Sequence, residues 1–260
     1  MKENIIFCYS GTGNCLDMAK NIAESLGDTD IVMMRKYPAV TDVSKAKRVG
    51  FIFPCYGGGL PGLVERYVRD IKVSPDAYTF GITQCAAYKG EGLYKLNSII
   101  PLDYWTAVTH QCTCIWLFPH DLMMPKMGAE AAQKRSEEFA AKIAEDVKAC
   151  KKTDKPLSKA TVNAVEHSQW PAIARKKGQT LKANDNCILC GQCAKLCPME
   201  NIRYAGKAVV FGDKCISCCG CLQYCPQNAI SMGKITDKRE HYHNPNVSAD
   251  ELCEEIISYK

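Results

Sequence analysis

The first 150 residues alternate short, continuous apolar runs with segments whose apolar positions recur every three or four residues. Residues 4–9 form the first run and predict a strand. Residues 14–26 carry Leu16, Ala19, Ile22, Ala23 and Leu26 on one helical face, and Gly27 stops the pattern. Further strands are predicted over 30–34, 48–53 and 78–84, with candidates over 104–109 and 113–118. Further helices are predicted over 63–71, 92–100 and 128–150, the last rich in Ala, Glu and Lys. Continuous apolar runs suit strands buried on both faces. Strand–helix alternation of this length predicts an α/β domain with a parallel sheet over residues 1–150.

The pattern breaks after that. Residues 151–185 hold Pro156 and Pro171 and little periodicity, which predicts a linker with at most one short helix. Residues 186–233 form a cysteine-rich unit, and 234–260 a polar tail that wraps back onto either domain.

Charge and cysteine content change this picture. The formal net charge is +5, and residues 151–186 hold eight Lys/Arg against three Asp/Glu, so the whole excess sits in that basic linker. Lys176 and Lys177 would be solvated there, or would dock an acidic redox partner. Of the 17 cysteines, nine crowd into residues 187–225. The chain opens on a short apolar run better suited to a strand than to a signal-peptide core, so a reducing cytoplasm, in an anaerobe, is expected. No run reaches transmembrane length, and no membrane insertion is expected.

The cysteines repeat. Cys187-Ile-Leu-Cys190-Gly-Gln-Cys193-Ala-Lys-Leu-Cys197-Pro198 and Cys215-Ile-Ser-Cys218-Cys219-Gly-Cys221-Leu-Gln-Tyr-Cys225-Pro226 both read C-x2-C-x2-C-x3-C-P. Structural zinc uses paired knuckles with longer gaps. Three cysteines three apart on a tight loop can face one cubane, and the next helical turn aims the fourth at a partner cubane. Two [4Fe–4S] clusters follow. Cys187, Cys190, Cys193 and Cys225 would hold the first, and Cys215, Cys218, Cys221 and Cys197 the second. Cys219 falls off the pattern and reads as a spare buried thiol. Residues 202–212, centred on Ala205 and Gly206, predict a hairpin. The unit resembles a bacterial two-cluster ferredoxin, a small α+β domain.

Ser10, Gly11, Thr12, Gly13, Asn14 and Cys15 lie between the first strand and its helix. Hydroxyls, glycines and free helix N–H groups make a phosphate cradle there. The lysine of a P-loop NTPase and the full dinucleotide fingerprint are both missing. Two more loops fall at carboxyl ends of strands, where doubly wound sheets bind ligands: Pro54, Cys55, Tyr56, Gly57, Gly58, Gly59, Leu60 and Pro61; and Thr83, Gln84, Cys85, Ala86, Ala87 and Tyr88. Glycines there would let backbone approach a flat ring closely.

These loops resemble those of the flavodoxin family, whose phosphate loop binds FMN. That implies a doubly wound sheet of order 2-1-3-4-5. It also implies phosphate contacts from Ser10, Thr12, Gly13, Asn14 and Cys15, with residues 54–60 and 83–88 flanking the isoalloxazine. Cys15 replaces the hydroxyl residue often found at that position. Tyr56 is the candidate to stack on the ring. Cys55 and Cys85 read as packing residues, and Cys112 and Cys114 as strand thiols. Trp116 with residues 118–124 would cover the flavin or the domain interface, and His120 is a minor candidate proton donor.

The whole order resembles flavodoxin–ferredoxin fusions of anaerobic bacteria and archaea, the EFR-type ferredoxins. The resemblance implies electron transfer between clusters and FMN, and on to a redox protein. The alternative is an FMN-dependent reductase of a small organic acceptor. A homodimer is compatible with either. No separate pyridine-nucleotide motif appears. Each cubane and the flavin phosphate carries about −2, which brings the net charge from +5 to roughly −1 and removes the case for nucleic-acid binding.

Overall fold

The computed structural model describes residues 2–86, 88–117, 129–157 and 161–260. Ala87 and residues 118–124, with His120, lie outside the described residues.

Five parallel strands form the centre: β1 (Asn4–Cys8), β2 (Thr29–Met33), β3 (Arg48–Pro54), β4 (Tyr78–Cys85) and β5 (Tyr104–Thr109), in the order β2-β1-β3-β4-β5. This is the flavodoxin-like order, with the switch point between β1 and β3. The inner strands β1, β3 and β4 are buried on both faces. Ile6 and Cys8 join a core with Leu16, Ile22, Phe80 and Ile143, under α1 (Asn14–Leu26) and α4 (Ala129–Lys148). Ile5, Phe7 and Tyr9 point the other way, into a core with Phe51, Val64, Val68 and Leu96, under α2 (Gly62–Arg69) and α3 (Gly92–Asn97). The period-two alternation within a continuous apolar run thus feeds two cores at once. Gly27 ends α1 at φ 64°, its N–H reaching the Ala23 carbonyl.

Two sequence expectations change, and a third gains detail. The expected strand over 113–118 is not formed by its described residues, 113–117: residues 111–114 are irregular and 115–117 a turn. The linker is largely a helix, α5 (Thr161–Gly178), with Pro171 inside it. Its contacts run through Asn163, His167 and Trp170 to buried Ala174, at helical spacings of four, three and four. Only two of those four side chains are apolar, so the stripe is invisible to a hydrophobic pattern. The tail is also structured. Its last strand, β10 (Ile256–Tyr259), adds antiparallel to β2 as a sixth strand, pairing Ile256 with Val32 and Tyr259 with Thr29.

The cysteine-rich unit opens earlier than residue 186. β6 (Leu181–Ala183) pairs antiparallel with β9 (Ile230–Met232), and β7 (Ile202–Ala205) with β8 (Ala208–Phe211) as the expected hairpin. Between them lie the short helices α6 (Gln192–Leu196) and α7 (Gly220–Gln223). The 28-residue repeat is written into the backbone. Leu189 and Ser217, Gly191 and Cys219, and Glu200 and Asn228 all adopt positive φ. Cys219 occupies the left-handed position before α7 that Gly191 fills before α6. Among the described residues, no helix is long and apolar enough to cross a membrane.

Candidate cluster and cofactor sites

Cys187, Cys190, Cys193 and Cys225 line one small cavity with Ile188, Leu189 and Tyr204. Cys197, Cys215, Cys218 and Cys221 line another with Leu181, Met199 and Met232. The fold gathers the first set of four at one cavity, and at the other it gathers the second set together with Cys219, the cysteine off the pattern. The fourth cysteines are treated alike: the Asn201 N–H donates to Cys197 Sγ at 3.3 Å, and the Ala229 N–H to Cys225 Sγ at 3.2 Å. The Ser217 N–H donates to Cys215 Sγ at 3.3 Å. N–H groups aimed at sulfur suit thiolate ligands of a redox centre, whose potential such bonds tune. Burial pushes the Cys215 thiol up to about 11, and pushes Cys218 and Cys221 further, with neighbouring cysteines adding to the effect. Binding to a cationic metal centre offsets that cost by taking the ligands up as thiolates. The donor chemistry fits an iron–sulfur cluster at each cavity.

The two cavities differ in exposure. Around the first, Cys190 is exposed and Ile188 is 62% exposed. The second is the inner one, because Cys218 also lines a much larger cleft.

That cleft encloses about 1010 Å³ of atom-free space, partly continuous with solvent, and lies beyond the carboxyl ends of β1, β3, β4 and β5. Of the loop residues expected at a flavin, Ser10, Gly11, Thr12, Asn14, Cys15, Pro54, Cys55, Tyr56, Gly57, Gly58, Gln84, Cys85, Ala86 and Tyr88 are on its wall. Gly13, Gly59, Leu60 and Thr83 are not on the wall. Leu60 and Thr83 are fully buried, and a Cβ on Gly13 would lie 2.7 Å from the Tyr224 hydroxyl.

The glycines of the β3 loop also make room for protein. A Cβ on Gly57 would meet Trp170 at 2.6 Å, one on Gly59 would meet His167 at 2.4 Å, and one on Gly58 would meet Glu166 at 3.1 Å. The triple glycine is what lets α5 lie down on the β3 loop. Glu166 and Trp170 of that helix then become cleft wall. Tyr88 donates to Glu166 Oε2 at the exposed side of the same wall, and the His167 imidazole meets the Tyr56 carbonyl at 3.1 Å through Nδ1.

Tyr56 stands edge-on to Tyr9, with ring centroids 5.9 Å apart, their hydroxyls at 3.4 Å. Its other side meets Trp170 at 6.3 Å, and Trp170 stacks on Trp116 at 5.7 Å. Trp116 thus belongs to the packing between α5 and the cysteine-rich unit. Lys177 lies over that Trp116 ring at 5.6 Å, so it is not simply a solvated linker residue.

The cleft thiols are quiet. Burial pushes Cys55 up to about 12 and Cys85 to about 11, and raises Cys15 further with help from Cys8. Protonated thiols are poor nucleophiles, which supports packing roles.

Sequence reasoning missed His110, Gln111, Glu166 and Trp170. A lone histidine after a strand and a tryptophan before a proline carry no motif. The structure marks three of them, with Gln84, in another way. Gln84 Oε1, His110 Nε2, Gln111 Oε1 and Trp170 Nε1 are buried without hydrogen-bond partners among the described residues, and all four residues line the cleft. Unpaired buried donors and acceptors beside apolar rings fit a planar, heteroatom-rich ligand such as a flavin.

Residues 180–242 match the family described as 4Fe-4S dicluster domain. No curated protein matches the chain. Among solved structures, two-electron reduced flavodoxin of Megasphaera elsdenii is similar over 54% of this chain and 98% of its own, at 18% identity and a TM-score of 0.35. A Fusobacterium nucleatum flavodoxin bound to flavin mononucleotide is similar over 56% and 99%, at 12% identity and a TM-score of 0.37. An FMN-dependent NADH-azoreductase of Bacillus anthracis is similar over 55% and 100%, at 14% identity and a TM-score of 0.35. The strand order itself carries the fold assignment. The chain joins a flavodoxin-like α/β domain to a 4Fe-4S dicluster domain.

Proposed function

We propose that this chain is an electron-transfer flavo-iron–sulfur protein with FMN in the cleft. Cys187, Cys190, Cys193 and Cys225 hold an outer [4Fe–4S] cluster, and Cys197, Cys215, Cys218 and Cys221 an inner one. When bound, the clusters supply single electrons and the flavin accepts one or two of them. The observation that carries the reading is Cys218, which lines both the inner cluster cavity and the cofactor cleft. Ligand and cofactor wall would then be one residue.

The chain's own residues set the rest. Ser10 and Thr12, with the backbone N–H groups at the start of α1, line the phosphate end. Ser10 Oγ accepts from the Gly13 N–H at 3.0 Å, which fixes the loop, and Thr12 is tied to Thr113 at 3.2 Å. Tyr56 and Trp170 supply aromatic wall. Ile188, Leu189 and Tyr204 surround the outer cluster with exposed apolar surface, the side from which a redox protein would deliver or take electrons.

A second reading is an FMN-dependent reductase of a small organic substrate, working in the cytoplasm of an anaerobe. The observation favouring it is α5, whose Glu166 and Trp170 roof the cleft where a plain carrier would offer its ring edge to a flat surface. Anaerobic stopped-flow mixing with reduced ferredoxin, NADH and a panel of small acceptors separates the two. Exchange with proteins alone supports the carrier, and steady turnover of a small acceptor supports the reductase.

A further inference from the structure

His110 follows β5 directly, and its side chain is buried, with the residue only 3% exposed. Its Nδ1 accepts two hydrogen bonds. One comes from the Gln111 backbone N–H at 2.8 Å, and the other from Asn14 Nδ2 at 3.0 Å. The second bond depends on which way round the Asn14 amide lies, and the partners of the amide oxygen decide that.

Those partners come from the far end of the chain. The Tyr242 hydroxyl donates to Asn14 Oδ1 at 3.0 Å, and Asn244 Nδ2 donates to it at 3.2 Å. Asn244 is itself oriented, because its Oδ1 accepts from the Asn246 N–H at 2.8 Å, which leaves its Nδ2 to donate. The Asn244 backbone N–H also closes on the Thr12 carbonyl at 2.8 Å. The tail therefore holds Asn14 Oδ1 toward itself and turns Nδ2 toward His110.

With two donors on Nδ1, the proton of a neutral imidazole belongs on Nε2. Placing it on Nδ1 would set N–H against N–H. Burial also holds the ring neutral, pulling its pKa below the ordinary 6.5 against the opposing pull of Asp17. Nε2 has no partner among the described residues, and its residue lines the cleft. A buried N–H without an acceptor is destabilising, because its lost hydration is not replaced.

We infer that His110 is a flavin-binding residue that donates its Nε2–H to a carbonyl oxygen or ring nitrogen of the cofactor, and that Tyr242 and Asn244 are the positioning residues that keep the proton on Nε2. This rests on the reading that the cleft holds FMN. A flavin ring gains electron density when reduced, so a neutral donor on it favours the reduced form and raises the flavin potential.

The test compares the holoprotein with His110→Leu, His110→Gln and Tyr242→Phe, all purified anaerobically. The FMN dissociation constant is read by flavin fluorescence, and the flavin midpoint potential by anaerobic titration. His110→Leu is expected to weaken FMN binding about tenfold, the value of about one hydrogen bond, and to lower the potential. His110→Gln, which keeps an N–H donor, is expected to recover most of both. Tyr242→Phe, away from the cleft wall, is expected to move both in the same direction by less. Unchanged binding and potential in His110→Leu, or a Gln variant no better than Leu, overturns the inference. If His110→Leu does not retain its iron, Tyr242→Phe decides, and an unchanged potential there overturns it. Wild-type protein without FMN removes the cofactor reading and this inference together. FMN-replete wild type with silent variants removes this inference alone.

Discussion

Gly11 of the phosphate loop lies against Cys218 of the second cysteine motif so closely that a Cβ on Gly11 would stand 2.4 Å from the Cys218 carbonyl oxygen. From the other side, a Cβ on Gly220 would stand 2.8 Å from the Gly11 carbonyl oxygen. The two motifs read separately along the chain are one contact in space. Gly11 is a glycine because a cluster loop needs that room.

Gly11→Ala forces the two loops apart, since backbone rather than a flexible side chain blocks the methyl. Overpacking of this kind costs about 1–3 kcal/mol. The expected result is a lower melting temperature and slower flavin reduction through the clusters, with iron content unchanged. Thermal melting and anaerobic stopped-flow absorbance check both.

Cys218 and Cys219 are neighbours with opposite expectations. Cys218→Ser should cost the inner cluster, leaving about four irons of about eight per chain, because a cubane needs its four thiolates. Cys219, in the left-handed position before α7, lies outside both sets of four, so Cys219→Ser should keep about eight. Iron and sulfide analysis of anaerobically purified variants distinguishes them. Four irons in the Cys219 variant would assign the ligands wrongly.

Trp170→Ala removes the aromatic wall that α5 lays on Gly57 and Tyr56. Removing a buried tryptophan costs about 3–5 kcal/mol. The expected outcome is faster FMN loss and a lower melting temperature, with the Fe–S absorbance retained. Flavin release on dilution measures the first directly.

Acidification should weaken the fold before its carboxylates titrate. Burial lowers the pKa of His110 and of His241 below the ordinary 6.5. The unfolded chain therefore takes up protons on these residues at a higher pH than the native one does. Stability is full above about pH 6.5 and falls as pH drops below it, toward the lowered native values. The exposed Asp28 and Asp42, whose pKa values are lowered by hydrogen bonds, lose their contributions only below their ordinary 3.8. Melting temperatures at pH 7.5 and 5.5 check this, and His110→Gln should shrink the difference.

The legible parts of this protein were those with local signals. The apolar run of β1, the helical face of α1 and the repeated cysteine spacing are each complete within one segment. What escaped depends on distant partners. The α5 stripe runs Asn163, His167, Trp170 and Ala174, and its polar members make sense only against a triple glycine about 100 residues away. β10 is four residues long and is a strand because the edge of β2 is free to receive it. His110 acquires a role only through Asn14, Tyr242 and Asn244, which no sequence window holds together. The same physics explains the second role of the β3-loop glycines, which also admit α5. Closeness of approach was legible in the sequence, but what approaches was not.

The central claim is that electrons cross from the clusters to a flavin through the Cys218 contact. Anaerobic stopped-flow mixing of FMN-loaded protein with reduced ferredoxin tests it most directly, following flavin bleaching in wild type and in Cys218→Ser. The account predicts that wild-type flavin bleaches after the clusters are reduced, and that the variant, its outer cluster intact by iron analysis, bleaches slowly or not at all. Equal bleaching rates in the two proteins, or wild-type protein that binds no flavin, would contradict it.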